Sequence, residues 1–118
     1  MEYEKERLQK LSKKIKQISL IDVSAGYDIL SFNDDMSSDY DRFIEVKSFR
    51  GEPHFYWSIN EKNISEFMGD KYFIYLVDLD SYNSDRAIKP IIIKNPAQNL
   101  EQRNWLIEPT NYLVYEIN

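Results

Sequence analysis

Residues 25–49, AGYDILSFNDDMSSDYDRFIEVKSF, contain two apolar runs that are each interrupted by ionisable residues. Asp28 interrupts the first run, and Glu45 and Lys47 interrupt the second. Because side chains alternate between the two faces of a strand, Glu45 and Lys47 are expected on one face, with apolar neighbours on the other. A face that carries a glutamate and a lysine either meets water or holds a site for chemistry.

Asp28 and the Glu45–Lys47 pair each have an ordinary structural explanation. An aspartate is uncommon inside a strand, and at a strand end it accepts hydrogen bonds in a turn. A Glu-x-Lys pair on a solvated face contributes less than about 1 kcal/mol to stability. The alternative is that the carboxylates hold a metal ion beside a water molecule that is to be activated. The residues themselves leave both interpretations open.

An aspartate on one strand followed by Glu-x-Lys on the next resembles the PD-(D/E)XK nuclease superfamily. More narrowly, the segments GYDI, RFIEVKS, SINE and YFIYLV, from about Gly26 to Val77, resemble the NO VEIN C-terminal-like domain. That domain is a nuclease-like module frequently attached to helicases and restriction-type proteins. The resemblance implies metal-dependent hydrolysis of DNA in restriction, repair or anti-phage defence. The sequence departs from the superfamily's name in having Gly-Tyr-Asp where the name has Pro-Asp.

The resemblance also implies roles for individual residues. Asp28 and Glu45 would be catalytic and would bind Mg²⁺ or Mn²⁺ together with the backbone carbonyl of Val46. Lys47, the third catalytic residue, would orient or help to deprotonate the attacking water, or stabilise the developing charge. An inactive module of the same fold, which binds nucleic acid or a protein partner without cutting, would keep the same residues and is the alternative.

Three other glutamates are candidates for supporting roles. A glutamate of the first helix often joins the metal site in the superfamily, and Glu4 and Glu6 are the candidates here. Glu61 belongs to Ser58-x-x-Glu61, which fits a capping box at the start of a helix. Because the resembled family carries a similar Asn-Glu at that place, Glu61 is also a candidate for a contact to the site or to nucleic acid.

The composition restricts the class of protein and the kind of metal site. The 118 residues suffice for one domain with two or three layers, so residues 1–118 are predicted to form a single nuclease-like domain. The absence of cysteine and the single histidine exclude disulfides, thiolate sites and histidine-rich zinc centres, which leaves Mg²⁺, Mn²⁺ or Ca²⁺. Without a signal peptide pattern or a long apolar run, we expect a cytoplasmic protein with no membrane association.

The charge of the chain is unevenly distributed. The net charge of −5 argues against non-specific coating of DNA, yet residues 1–18 carry one arginine and five lysines against three glutamates. Apolar residues recur at helical spacing across this segment, which predicts an amphipathic helix over residues 2–18. Its basic face is either solvated or contacts phosphates. The candidate nucleic-acid contacts are Lys10, Lys13, Lys14 and Lys16. The resemblance implies nucleic acid, and DNA in particular, as the partner, with a homodimer or a protein partner as further possibilities.

The rest of the chain predicts the remaining elements. Residues 20–23 lead into the first strand or form a small strand of their own. Residues 33–41 form a mobile, solvated loop, 54–59 a third, aromatic-rich strand, and 60–69 the second helix. The nearly continuous apolar run at 71–79 predicts a central strand covered on both faces. An edge strand at 88–93 with Pro90, a short helix at 95–103 and a last strand at 112–117 follow. The predicted fold is α/β, a mixed sheet flanked by helices, with a restriction-endonuclease-like αβββαβ core and a C-terminal β extension.

Overall fold

The computed structural model describes residues 2–18, 25–81, 89–100 and 105–117. Its elements in chain order are α1 (Glu2–Arg7), β1 (Lys16–Gln17), β2 (Ile29–Ser31), β3 (Arg42–Phe49), α2 (Ile59–Met68), β4 (Tyr72–Asp78), β5 (Ile91–Lys94) and α3 (Pro96–Asn99). Among the described residues, no helix combines the length and the apolar character that crossing a membrane requires. The predicted segment at 20–23, Ile88 and residues 101–103 lie outside the described ranges.

The described strands form one mixed sheet in the order β1-β2-β3-β4-β5. The β1–β2, β2–β3 and β4–β5 pairs are antiparallel, and the β3–β4 pair is parallel. Two parallel neighbours need a crossover connection, and α2 supplies it. The predicted α/β class with a mixed central sheet is confirmed.

Helices α1 and α2 pack on opposite faces of the sheet. On the first, called the α1 face, Tyr3 packs against a buried cluster of Ile29, Ile44, Phe73 and Tyr75. On the second, called the α2 face, the helix packs against a buried cluster of Tyr72, Ile74, Ile93 and Leu100. Since Ile44 belongs to the α1 face, the alternating residues Glu45 and Lys47 lie on the α2 face.

The predicted helix over residues 2–18 is wrong in its length, because α1 ends at Arg7. A short 3₁₀ turn and β1 follow it. The carboxylate of Asp35 accepts hydrogen bonds from the backbone N–H groups of Gln9 and Leu11, both at 2.9 Å. In a continuous helix these N–H groups would bond to carbonyls one turn earlier. The aspartate therefore replaces helical hydrogen bonds and ends the helix.

The loop at 33–41 joins β2 to β3 as predicted, but aspartate side chains hold it in an ordered turn. Asp41 accepts a hydrogen bond from the Asn33 N–H at 2.7 Å and another from the Ser37 hydroxyl at 2.8 Å. Asp35 bonds to the segment after α1, as described above. The aspartates of the 33–41 loop therefore accept hydrogen bonds that hold the turn and end the preceding helix.

The predicted third strand at 54–59 is not formed, and residues 53–58, all of them described, lie outside the sheet. Phe55 and Trp57 both pack on the α2-face cluster. The middle strand β3 is already paired with β2 on one edge and with β4 on the other. Because β3 has no free edge, the aromatic segment packs by its side chains over the sheet.

The predicted strand at 112–117, which would have formed the C-terminal β extension, is also wrong. These residues are described, are exposed, and pair with none of the described strands. Alternation and β-branched residues satisfy the local preference for a strand, but a strand is stable only when another strand or a core receives it.

Helix α2, strands β4 and β5 and helix α3 are confirmed as elements, with α3 ending at Asn99. Ser58 caps α2 in a capping box with Glu61, and Gly69 follows the last turn as the C-cap. The first five residues of β4 are buried, and the strand lies between β3 and β5. The edge strand β5 directly follows Pro90, and α3 begins at Pro96.

A buried carboxylate attaches α1 to the sheet. Glu4 is 1% exposed and accepts hydrogen bonds from Arg7 Nε at 2.8 Å, from the Ser31 hydroxyl at 2.6 Å and from the Tyr75 hydroxyl at 2.8 Å. Burial acts to raise the pKa of Glu4, but these hydrogen bonds outweigh it and hold that pKa below its ordinary value. Glu4 is therefore ionised and stabilising in the folded state.

We expect Glu4→Ala to lower the free energy of unfolding by about 2–4 kcal/mol at pH 7, because it leaves buried donors without an acceptor. A carboxyl with a lowered folded-state pKa contributes stability above its unfolded pKa and loses it as the pH falls through the folded value. The difference from wild type should therefore shrink at pH 3. Urea denaturation at both pH values measures it, with Glu6→Ala, an exposed acid of the same helix, as the control. A Glu4→Ala variant as stable as wild type at pH 7 contradicts this role.

Candidate functional site

A cleft of about 310 Å³ opens on the α2 face, where the turn before β2, the middle of β3 and the N-terminus of α2 meet. The residues that line it include Gly26, Asp28, Glu45, Asn60 and Glu61. Three of these are acids that come from three different elements of the chain. The cleft therefore contains two of the predicted site residues, Asp28 and Glu45.

Strand β3 presents Glu45 and Lys47 on the same side, as their spacing predicts. The Lys47 Nζ lies 3.8 Å from Glu45 Oε1 and 2.9 Å from Glu61 Oε1. Glu61 also accepts a hydrogen bond from the Ser58 N–H at 3.1 Å, which completes the capping box of α2. Glu61 thus caps its helix and holds the lysine amine with the same carboxylate.

Asp28 is tied to β3 by its backbone and by its side chain. Its N–H donates to the Ile44 carbonyl at 2.7 Å, and its Oδ2 accepts a hydrogen bond from the Val46 N–H at 2.8 Å. The N–H and carbonyl of one strand residue point to the same edge, so the Val46 carbonyl lies on the side of Asp28. Asp28, Glu45 and Val46 are therefore brought together.

The acids of the cleft influence one another strongly. Burial raises the pKa of Glu45 to about 8, the negative charges of Asp28 and Glu61 act in the same direction, and Lys47 opposes them. A hydrogen bond in which a protonated Glu45 donates to Glu61 also raises the pKa of Glu45 and lowers that of Glu61. For Glu61 itself, burial acts to raise the pKa, but hydrogen bonds from Lys47 and Ser58 outweigh it and lower that pKa. Three acids thus lie near a single lysine, and a bound cation would reduce the repulsion among their negative charges.

The donor set suits a hard divalent cation. Carboxylate and carbonyl oxygens are the ligands of Mg²⁺ and Mn²⁺, and Asp28, Glu45 and Val46 supply them. Within the described ranges, no group of three acids, histidines or cysteines is arranged to hold an ion by side chains alone. Mg²⁺ commonly takes only one or two carboxylates and completes its shell with water and substrate phosphate. The chemistry of the residues fits such an ion.

The structure does not bring Glu6 to the cleft. It is exposed on α1, and that helix lies on the α1 face, where its neighbour Glu4 bonds to Tyr75. The sheet therefore separates both candidate acids of the first helix from Glu45. Glu61 is the supporting acid that does reach the site.

The four candidate nucleic-acid contacts are exposed but do not share a helical face. They lie in the turn after α1, in the 3₁₀ turn and in β1: Lys10, Lys13, Lys14 and Lys16. They are not among the residues that line the cleft. Their contact with phosphates stays a prediction.

Sequence reasoning missed the involvement of Tyr72 in this site. Its hydroxyl is buried on the α2 face and donates a hydrogen bond to the Gly26 carbonyl at 2.7 Å. Tyrosine is a common strand residue, so Tyr72 blends into the apolar run of β4 and carries no separate signal. Gly26 offered a signal, since a glycine just before a strand often supplies a backbone conformation that other residues avoid.

We expect Glu45→Gln to stabilise the fold at alkaline pH. A carboxyl with a raised folded-state pKa contributes stability that is present below its unfolded pKa and lost as the pH rises through about 8. The wild-type free energy of unfolding should therefore fall from pH 5 to pH 9 more steeply than that of the variant. At pH 9 the variant should be more stable by about 1–3 kcal/mol.

Urea denaturation in the absence of divalent ions measures this difference. Glu66→Gln, which changes an exposed acid of α2, is the control and should follow the wild-type curve. Parallel alkaline losses in wild type and Glu45→Gln would show that another group is responsible.

A family model described as Protein NO VEIN, C-terminal, matches residues 1–93. The matched range contains α1 to β4, the first part of β5 and every residue that lines the cleft. No curated protein and no solved structure matches the chain.

Proposed function

Because the chain belongs to the family Protein NO VEIN, C-terminal, we propose that it is a metal-dependent nuclease domain of the PD-(D/E)XK type that hydrolyses DNA phosphodiester bonds. The observation that carries the proposal is the meeting of Asp28 and Glu45 in one open cleft, with the Lys47 amine 3.8 Å from Glu45. The mixed sheet supports it, since β2 pairs antiparallel with β3 while β4 runs parallel to β3 after the crossover through α2.

In this proposal Asp28, Glu45 and the Val46 carbonyl hold Mg²⁺ or Mn²⁺. The bound ion would supply the positive charge that makes water nucleophilic and offsets the charge on the phosphate. The Val46 N–H keeps Asp28 in place beside β3. Glu45 must release the proton that it shares with Glu61 before it can act as a ligand.

Lys47 is the group that acts directly on the reaction. Its amine orients the attacking water or stabilises negative charge on the phosphate in the transition state. A lysine side chain is long and flexible, so an anchor is needed to hold its amine in one place. Glu61 supplies that anchor at 2.9 Å and is itself held by the cap of α2. Glu61 therefore acts through Lys47 as a positioning residue.

A second candidate function is a module of the same fold that binds nucleic acid or a protein partner without cutting. Two contacts favour it: the Val46 N–H engages Asp28 Oδ2, and Glu61 engages the Lys47 amine. Both groups are thus satisfied within the chain. In that case the exposed lysines after α1 would supply the contacts to nucleic acid.

We expect millimolar Mn²⁺ or Mg²⁺ to raise the melting temperature, and Asp28→Asn to abolish the rise. Because binding displaces the proton of Glu45, the apparent affinity should increase by about tenfold or more between pH 6 and pH 8. Thermal shift and calorimetry, with and without a single-stranded oligonucleotide, measure both effects. Asp39→Asn, an exposed acid of the 33–41 loop, is the control. A rise that survives Asp28→Asn contradicts the ligand assignment.

We expect Lys47→Ala to reduce cleavage by about 10²-fold or more while metal-dependent DNA binding changes only a few-fold, since the amine acts in the transition state. Nicking of supercoiled plasmid and cutting of oligonucleotides in Mg²⁺ and Mn²⁺ measure cleavage. Lys62→Ala, an exposed lysine of α2, is the control. Equal nicking by wild type and Lys47→Ala would place the activity elsewhere, and DNA binding with no cutting would favour the binding module.

A further inference from the structure

We propose that Tyr72 and Gly26 are positioning residues that fix the turn of Asp28 against the N-terminus of α2. The catalytic consequence of this inference rests on the proposed function. The geometry does not, because it can be measured in a protein that neither binds metal nor cuts DNA.

Tyr72 links β4 to the turn before β2, on the α2 face and across the intervening strand β3. It is the first residue of β4, is 0% exposed, and lies opposite Phe43 of β3 in the sheet register. Its hydroxyl reaches the Gly26 carbonyl at 2.7 Å, across a separation of 46 residues in the chain. Asp28 follows Gly26 by two residues. The hydrogen bond therefore anchors the turn that delivers Asp28 to the cleft.

Gly26 lets α2 approach this turn directly. Its φ of +84° is a conformation that glycine adopts without strain, and a Cβ at this position would lie 2.7 Å from Ile64 Cγ1 and 3.3 Å from Asn60 Nδ2. Both contacts belong to α2, the helix that carries Glu61 and through it the Lys47 amine. A side chain at position 26 would push the helix away from the Asp28 turn.

Both contacts fix the position of the Asp28 turn. The Tyr72 hydrogen bond holds the turn to β4, and the close approach at Gly26 sets the distance from the turn to α2. The Tyr72 hydroxyl stays a donor across the pH range of any activity, because burial and the charges of Glu45, Glu61 and Asp28 raise its pKa. The separation between Asp28 and the Lys47 amine thus depends on a buried tyrosine in a neighbouring strand.

Tyr75 provides a matched comparison within the same strand. It is also buried, and its hydroxyl donates a hydrogen bond to Glu4 at 2.8 Å and accepts one from Arg42 Nη1 at 2.6 Å. It lies on the α1 face, away from the cleft. Tyr72→Phe and Tyr75→Phe therefore each remove one buried hydroxyl from β4. Only Tyr72→Phe removes the hydrogen bond to the Gly26 carbonyl.

The decisive measurement is amide hydrogen exchange at Val46, whose N–H donates to Asp28 Oδ2. If Tyr72 holds the Asp28 turn, Tyr72→Phe should speed exchange at Val46 by about tenfold relative to the other amides of β3. Tyr75→Phe should leave that ratio unchanged, although it lowers global stability. Val46 exchange that responds equally to both variants overturns the proposal.

Mn²⁺ titration of the same proteins, followed by paramagnetic broadening of amide signals around the cleft, extends the test. Tyr72→Phe should weaken Mn²⁺ binding by about tenfold while Tyr75→Phe stays within about twofold. Faster Val46 exchange without Mn²⁺ binding by any variant supports the positioning role and refutes the metal site. Gly26→Ala should repeat the Val46 effect. Should that variant not fold, Tyr72→Phe, which removes one oxygen atom, decides alone.

Discussion

The register of β3 depends on the burial of Ile44, which is 0% exposed on the α1 face. A strand that slipped by one residue would exchange its two faces, and Ile44 would then occupy the place of a charged neighbour. Pairing with β2 and β4 on both edges removes the remaining freedom. The position of Glu45 and Lys47 beneath α2 is a consequence of this apolar contact on the other side of the sheet.

Two buried glutamates on opposite faces of the sheet have opposite pKa shifts because their surroundings differ. Glu4 meets a guanidinium and two hydroxyls, its pKa is lowered, and it stabilises the attachment of α1. Glu45 meets two further acids, and burial together with their charges raises its pKa to about 8. An acid held at such a cost to stability commonly marks a functional site. The sheet separates the two environments, so the acids of α1 do not contact the acids of the cleft.

Local patterns predicted much of the fold. They failed where a hydrogen-bond acceptor or a free strand edge from another part of the chain decided the structure. The capping box and Gly69 determine both ends of α2, and the apolar run of β4 indicates burial on both faces. The helix after Arg7 fails because Asp35, more than twenty residues away, accepts its N–H groups. The segment at 54–58, despite strand-like composition, finds no free edge on β3. In each failure the local preference is correct, and a competing hydrogen bond or a missing edge overrides it.

Alternation along β3 and the order of Asp28, Glu45 and Lys47 were determined by the sequence itself, because the period of a strand is a property of the local chain. The assembly of the site was decided only by the tertiary structure. Lys47 meets Glu61 across 14 residues, Asp28 meets Val46 across 18, and Tyr72 meets Gly26 across 46. A hydrogen bond between groups so far apart in the chain leaves no periodic trace. It forms because the sheet and α2 pack against each other and bring its donor and acceptor together.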